Sequence, residues 1–239
     1  MAIRHDSGIV LRSYPFGEAD KIVVLISPLH GKLRTVAKGV RKTKSKFGAR
    51  LESFMEVDLV LYEGRNLDLI TQAELRSSFP SLRRDLAAVA AASTMAEVVD
   101  AVAQEDEPSV ALFELFRRGL AALDAGRTSP DVLTAFLLQL LGVQGLAPAL
   151  TRCASCARTD QLDRFSVAAG GILCGECRPE GSVRLRSGLV PHLAALAGAE
   201  LAAVDASEVD LSSDAMWVTR RFVEYHLERK LVSIAVLDG

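Results

Sequence analysis

The chain's four cysteines fall in two identical pairs, Cys153/Cys156 and Cys174/Cys177, and there are no others. They read C-x2-C, seventeen intervening residues, then C-x2-C. Each such turn aims two thiolates at one point, and a short hairpin can bring two turns together around one tetrahedral ion. The pattern predicts one Zn2+ held by Cys153, Cys156, Cys174 and Cys177. All four positions would be filled by thiolate, which leaves none for water or substrate, so the metal reads as structural. Rival readings fit less well. A redox pair needs a single C-x-x-C in a βαβ setting. A disulfide framework belongs to small secreted domains with a signal peptide. A zinc deaminase needs H-x-E ahead of its cysteines, whereas His226-Leu227-Glu228 lies after them.

At 239 residues, 49% of them apolar and 24% charged, the chain is long enough and apolar enough for one large or two small globular domains. The N-terminus carries no apolar run of signal-peptide length. Val132 to Thr151 is uncharged, but Gly142, Gly145 and Pro148 interrupt it, so it reads as a buried helix and not a membrane span. The expected protein is soluble, cytoplasmic and not membrane-bound. Charge is uneven: residues 1–80 hold 13 Lys/Arg against 9 Asp/Glu, whereas residues 81–239 hold 15 against 21. That asymmetry points to a basic binding module joined to an acidic body.

The fold class expected is α+β. Gly8–Leu11, Lys21–Ile26, Lys32–Ala37, Glu56–Tyr62 and Leu67–Ala73 read as five short strands separated by proline and glycine turns. Five strands with a basic loop after the third are compatible with an OB-fold barrel, although strand count alone does not separate it from an SH3-like barrel. This barrel is expected over residues 1–79. From Pro80 the composition becomes helical, with Ser81 as N-cap of a helix reaching about Gln104. Further helices are expected over Ser109–Ala125, from Ser129-Pro130-Asp131 onward, and over about Gly188–Ala197 and Asp214–Arg229. The organisation expected is a helical domain over 80–150 and 183–239, with a four-cysteine zinc finger inserted at 151–182.

Between Lys21 and Leu51 no acidic residue interrupts the cations. Lys32, Arg34, Lys38, Arg41, Lys42, Lys44, Lys46 and Arg50 are therefore the candidate phosphate contacts, with the loop Lys38–Lys46 at their centre. A solvated surface turn is the ordinary fate of a charge run, but the position between barrel strands and the acidic remainder favour nucleic acid. Tyr14, Phe16, Phe47 and Phe54 flank the loop and read mainly as core or barrel rim, with Phe47 the one candidate for base contact. Trp217, Phe222 and Tyr225 read as core of the last helix. His5, His30, His192 and His226 are scattered, and no phosphate-binding, dinucleotide or nucleophile-elbow motif occurs. The residues propose binding and no chemistry.

With both halves read, the sequence resembles the bacterial RecO family of recombination mediators. The likeness is carried by Gly8-Ile9-Val10-Leu11, Phe16-Gly17-Glu18-Ala19-Asp20-Lys21, Gly31-Lys32 and Lys38-Gly39-Val40-Arg41. It continues in Phe136–Leu141, Gly145-Leu146-Ala147-Pro148, Cys153-Ala154-Ser155-Cys156, Gly170-Gly171 and Cys174-Gly175-Glu176-Cys177. The resemblance implies an OB-fold, a helical domain and a four-cysteine finger. It implies a non-enzymatic protein of the nucleoid that binds single- and double-stranded DNA and anneals complementary strands. Its implied partners are RecR, single-stranded-DNA-binding protein and RecA, which it helps to load. The competing class is a zinc-ribbon adaptor whose barrel binds acidic protein partners in place of DNA.

Overall fold

The computed structural model describes residues 2–233. Strands β1 (Ile3–Phe16), β2 (Asp20–Ser27), β3 (Gly31–Ala37), β4 (Glu56–Tyr62) and β5 (Asp68–Ser77) close a barrel in the order β1-β2-β3-β5-β4. The pairs are antiparallel except β3 and β5, which run parallel through Thr35/Asp68 and Val36/Leu69. That order is the five-stranded Greek-key barrel of an OB-fold. Closure depends on β1, which pairs with β4 from Ile3 to Ile9 and with β2 from Ile9 to Phe16. An irregularity between Val10 and Arg12 bends it between its two partners. Alternating Val23, Leu25, Leu33, Val57, Leu59, Leu61 and Ile70 fill the interior.

A 3-10 turn (Leu82–Arg84) leads into α1 (Leu86–Val102), and α2 (Val110–Asp124) follows. The cap of α1 is Asp85, not Ser81: extended at φ −115°, it accepts from the N–H groups of Ala87 and Ala88. Ser81 is itself helical (φ −74°, ψ −37°) and makes no cap bond, because a cap residue must leave the helical region for its oxygen to reach back. The Ser81 and Leu82 N–H groups donate to Asp124 instead.

These helices pack with the barrel in one compact unit that ends at Asp124. The contact is close at the β2–β3 turn. Gly31 has φ +64°, and a Cβ there would lie 2.2 Å from the Glu107 carbonyl oxygen and 2.6 Å from that of Gln104. The Lys32 N–H donates to the same Gln104 carbonyl (2.8 Å). Composition changes at residue 80, but the compact unit continues through two helices.

The second unit begins at Ala125. It holds α3 (Pro130–Val143), β6 (Leu162–Ser166), β7 (Gly171–Cys174), β8 (Val183–Arg184), α4 (Leu189–Gly198) and α5 (Val209–His226). The strands form a sheet in the order β7-β6-β8. Ser129 caps α3 with proline at its first position, as its sequence predicts. Helix α5 starts five residues ahead of the expected Asp214, and residues 234–239 of the expected helical domain lie outside the described residues. No helix among the described residues is long and apolar enough to cross a membrane.

A buried carboxylate ties this unit together. Asp131 on α3 accepts from His192 Nε2 of α4 (3.1 Å), from the N–H and hydroxyl of Ser207, and from Ser212 Oγ of α5 (2.9 Å). Burial raises its pKa, but the bonds from Ser207, Ser212 and His192 outweigh that and hold it below the usual carboxylate value.

Candidate metal centre and nucleic-acid interface

The cysteine pairs are brought together by backbone pairing along β7. The Ala149 N–H donates to Gly170 (2.9 Å), and the Ile172 N–H donates back to the Ala149 carbonyl (2.8 Å). This approach needs glycine at 171, where a Cβ would lie 2.4 Å from the Ala149 carbonyl oxygen. The Ala154 N–H then donates to Ile172 (2.8 Å), which sets Cys153 beside Cys174 at the end of β7. Each pair closes as a turn, Ala157 N–H to Cys153 carbonyl (2.9 Å) and Cys177 N–H to Cys174 carbonyl (3.1 Å).

All four Sγ atoms lie within 4.8 Å of one another, and Cys156 and Cys174 are 3.8 Å apart. Thiolates about 2.3 Å from a shared tetrahedral centre would be about 3.8 Å apart, so the set fits one thiophilic ion. Cys153 and Cys174 are buried, Cys156 is exposed and Cys177 is intermediate. Burial opposes ionisation of Cys153, but the N–H groups of Cys174, Cys156 and Ser155 outweigh it and hold the thiol down to about 6. The thiols of Cys156, Cys174 and Cys153 push Cys177 up to about 12. The four sulfurs thus compete for a few protons where a divalent cation would satisfy them together.

Three of the finger's four arginines are used locally, Arg152 being the exposed exception. Arg158 pairs with Glu176 (3.0 Å), Arg164 meets Ser182, and Arg178 donates to the Gly175 carbonyl.

The β3–β4 connection carries the basic loop, pinned at its centre. Phe47, weighed as a base contact, is buried in the barrel core with Leu51 and Met55. Arg41 anchors the loop to the β1–β2 turn through the Gly17 and Glu18 carbonyls, and its own N–H donates to Ala19 (2.9 Å). Lys46 Nζ donates to the Thr71 carbonyl on β5 (2.7 Å) and Arg50 to the Lys46 carbonyl (2.9 Å). Lys38, Lys42 and Lys44 are exposed, with no side-chain hydrogen bond or ion pair to the described residues.

Lys32 and Arg34 of the eight candidate cations lie on β3 and outside the loop. Lys32 donates to the Asp100 carbonyl (2.7 Å) with that carboxylate 3.5 Å away, so it anchors β3 to α1. Arg34 lies 3.7 Å from Glu105.

Sequence reasoning missed an exposed aromatic stripe on α5. Phe222 is buried as expected, but Trp217 and Tyr225 are 44% and 56% exposed. The signal was Arg221, which shares their i, i+4, i+8 face and marks it as the solvent side. Two Ser/His/Asp clusters occur among the described residues, and neither forms a relay. In the barrel Ser27 Oγ donates to Asp6 (2.8 Å) and His30 Nδ1 meets the same carboxylate (2.7 Å), so the carboxylate stands between serine and ring. In the second unit Ser207 Oγ (3.4 Å) and Asp131 Oδ1 (3.1 Å) meet the same His192 nitrogen, Nε2. A triad needs its serine and carboxylate on opposite ring nitrogens.

Comparison with known proteins adds what geometry cannot. Residues 1–79 match the family model described as "Recombination protein O N terminal", and residues 83–234 match "Recombination protein O C terminal". The chain is also 42% identical over 239 residues to a protein named "DNA repair protein RecO" from Nocardioides sp. (strain ATCC BAA-499 / JS614), covering 98% of both chains. Matched by both terminal models and along nearly all of a curated relative, this chain belongs to the RecO family.

Proposed function

We propose that this protein is a DNA-binding mediator of recombinational repair that makes and breaks no bond. It binds single and double strands through the barrel's basic loop, brings complementary strands together, and acts with RecR to place RecA on DNA coated by single-stranded-DNA-binding protein. Its place of work is the cytoplasm, at the nucleoid. The observation that carries this reading is the set of exposed Lys38, Lys42 and Lys44, unpartnered among the described residues, on a loop whose backbone is fixed by Phe47, Arg41 and Lys46.

Cations held this way meet phosphates of any sequence. Neutralising phosphate on two strands removes the repulsion that opposes annealing. Arg41, Lys46 and Arg50 add charge while shaping the loop, and Arg34 extends the basic edge. Lys32 serves the contact with α1. The cysteines hold one zinc ion, which supplies a cross-link where the second unit has only short strands.

The test is the salt dependence of strand affinity together with annealing of complementary strands. If about four phosphates are contacted, log affinity for a single strand should fall against log salt with a slope near −3. Lys38→Ala/Lys42→Ala/Lys44→Ala should bring that slope to about −1 and slow annealing, with no change in fold. An unchanged slope and rate would move the site elsewhere. Tighter binding of an acidic peptide than of a mixed-sequence oligonucleotide would favour the adaptor class.

A further inference from the structure

Helix α5 presents an aromatic and cationic face that nothing in the proposed barrel site uses. Trp217 and Tyr225 stand two turns apart on one stripe, both exposed, with Arg221 between them. The Arg221 guanidinium lies 4.7 Å from the Trp217 ring centroid. The groove beside them, about 750 Å3, is completed by Val167, Arg229 and Lys230 among others. A smaller pocket of about 180 Å3 runs from the same three side chains to Phe165 and Val183 of the finger's sheet. Arg220, Arg221, Arg229 and Lys230 line the groove with Glu224 and Glu228, and Arg220 is held by Glu224 in an ion pair (3.1 Å), so cations outnumber carboxylates along it.

Buried aromatics elsewhere in this unit are consumed by packing, as in the edge-to-face contact of Phe165 with Phe222 (5.8 Å). Trp217 and Tyr225 leave ring surface facing water. Two flat apolar rings in a net-positive groove match a ligand that is both polyanionic and planar. Stacking on such rings tolerates any base, and the flanking cations take the phosphates.

We propose that the α5 face is a second nucleic-acid contact, one that stacks unpaired bases of a single strand on Trp217 and Tyr225, with Arg221 serving both ring and backbone. It is independent of the barrel loop. It selects single strands over duplex, because paired bases offer no free face to stack. A purely acidic peptide would use the charge but offer the two rings nothing to stack.

Trp217 is the chain's one tryptophan, so its emission reports this face alone. The full chain is titrated with a short oligothymidine, the corresponding duplex and polyglutamate, while anisotropy of a labelled strand records total binding. The expected result is saturable quenching by oligothymidine and little by the other two. Tyr225→Ala should weaken single-strand affinity about fivefold and leave duplex affinity and the unfolding midpoint unchanged. In Lys38→Ala/Lys42→Ala/Lys44→Ala the same quenching should appear at the same strand concentration, since the α5 contact does not use the loop. Binding seen by anisotropy with silent Trp217 emission would overturn the α5 contact and leave the loop reading standing. Equal quenching by duplex or by polyglutamate would overturn it as well, the latter in favour of a protein partner.

Discussion

Cys153 and Cys177 lie at opposite ends of the proton scale although their sulfurs are neighbours. With Cys153 held down to about 6, it is largely thiolate at neutral pH, whereas Cys177, pushed up to about 12, keeps its proton. Cys174 is lowered, chiefly by the Cys177 N–H. Cys156 is raised: the Arg158 N–H pulls it down, but the Cys153 thiol outweighs that. Because metal binds thiolate, uptake must expel the protons that remain. Adding zinc to metal-free protein at pH 7 should therefore release fewer protons than four independent thiols near 9 would lose, because Cys153 is already largely thiolate. Affinity should rise with pH as those protons become easier to remove. Titration in weakly buffered solution with a pH indicator measures both.

At the scale of elements, Asp131 joins α3, α4 and the start of α5 through one carboxylate. Its folded pKa lies below its ordinary value, so the stability it contributes is fully present above the unfolded pKa. That contribution disappears as pH falls through the folded pKa. The second unit should accordingly weaken below about pH 4. Asp131→Asn should flatten that acid dependence and cost about 2–3 kcal/mol at neutral pH, since one amide cannot accept from all of these donors. Urea unfolding between about pH 3 and pH 7 reads both effects.

The elements themselves were largely legible in the sequence. The β-branched runs of β2 and β3 stand between glycine and proline turns, and the Ser-Pro-Asp start of α3 states its own cap. Legibility failed where tertiary partners decide. Ser81 has the chemistry of a cap but Asp124 takes its N–H, and Asp85 four residues on does the capping. The cysteine spacing predicts the cluster because the constraint is local, but pairing of Ala149 with β7 has no sequence period to announce it. Charge counts grouped Lys32 with the loop, and only the position of Asp100 separates them.

For the whole molecule, the two compact units should fail separately. Cys174→Ser or chelation should lower the stability of the second unit, with zinc lost, and leave the first unit's transition in place. Gly31→Ala should do the reverse, costing the first unit about 2–4 kcal/mol from an unfavourable φ and a clash with two carbonyls. Hydrogen exchange, read segment by segment, distinguishes the two cases. A mutation whose effect crossed fully into the other unit would show that they unfold together.

The seat of Gly31 also bears on how such proteins can be recombined with one another. The two family models meet between residues 79 and 83, inside the first compact unit. A chimaera joined there would set one parent's barrel turn against the other parent's Gln104–Glu107 backbone, with no room to adjust. A join placed after Asp124 transfers hairpin and helices together and keeps that fit intact.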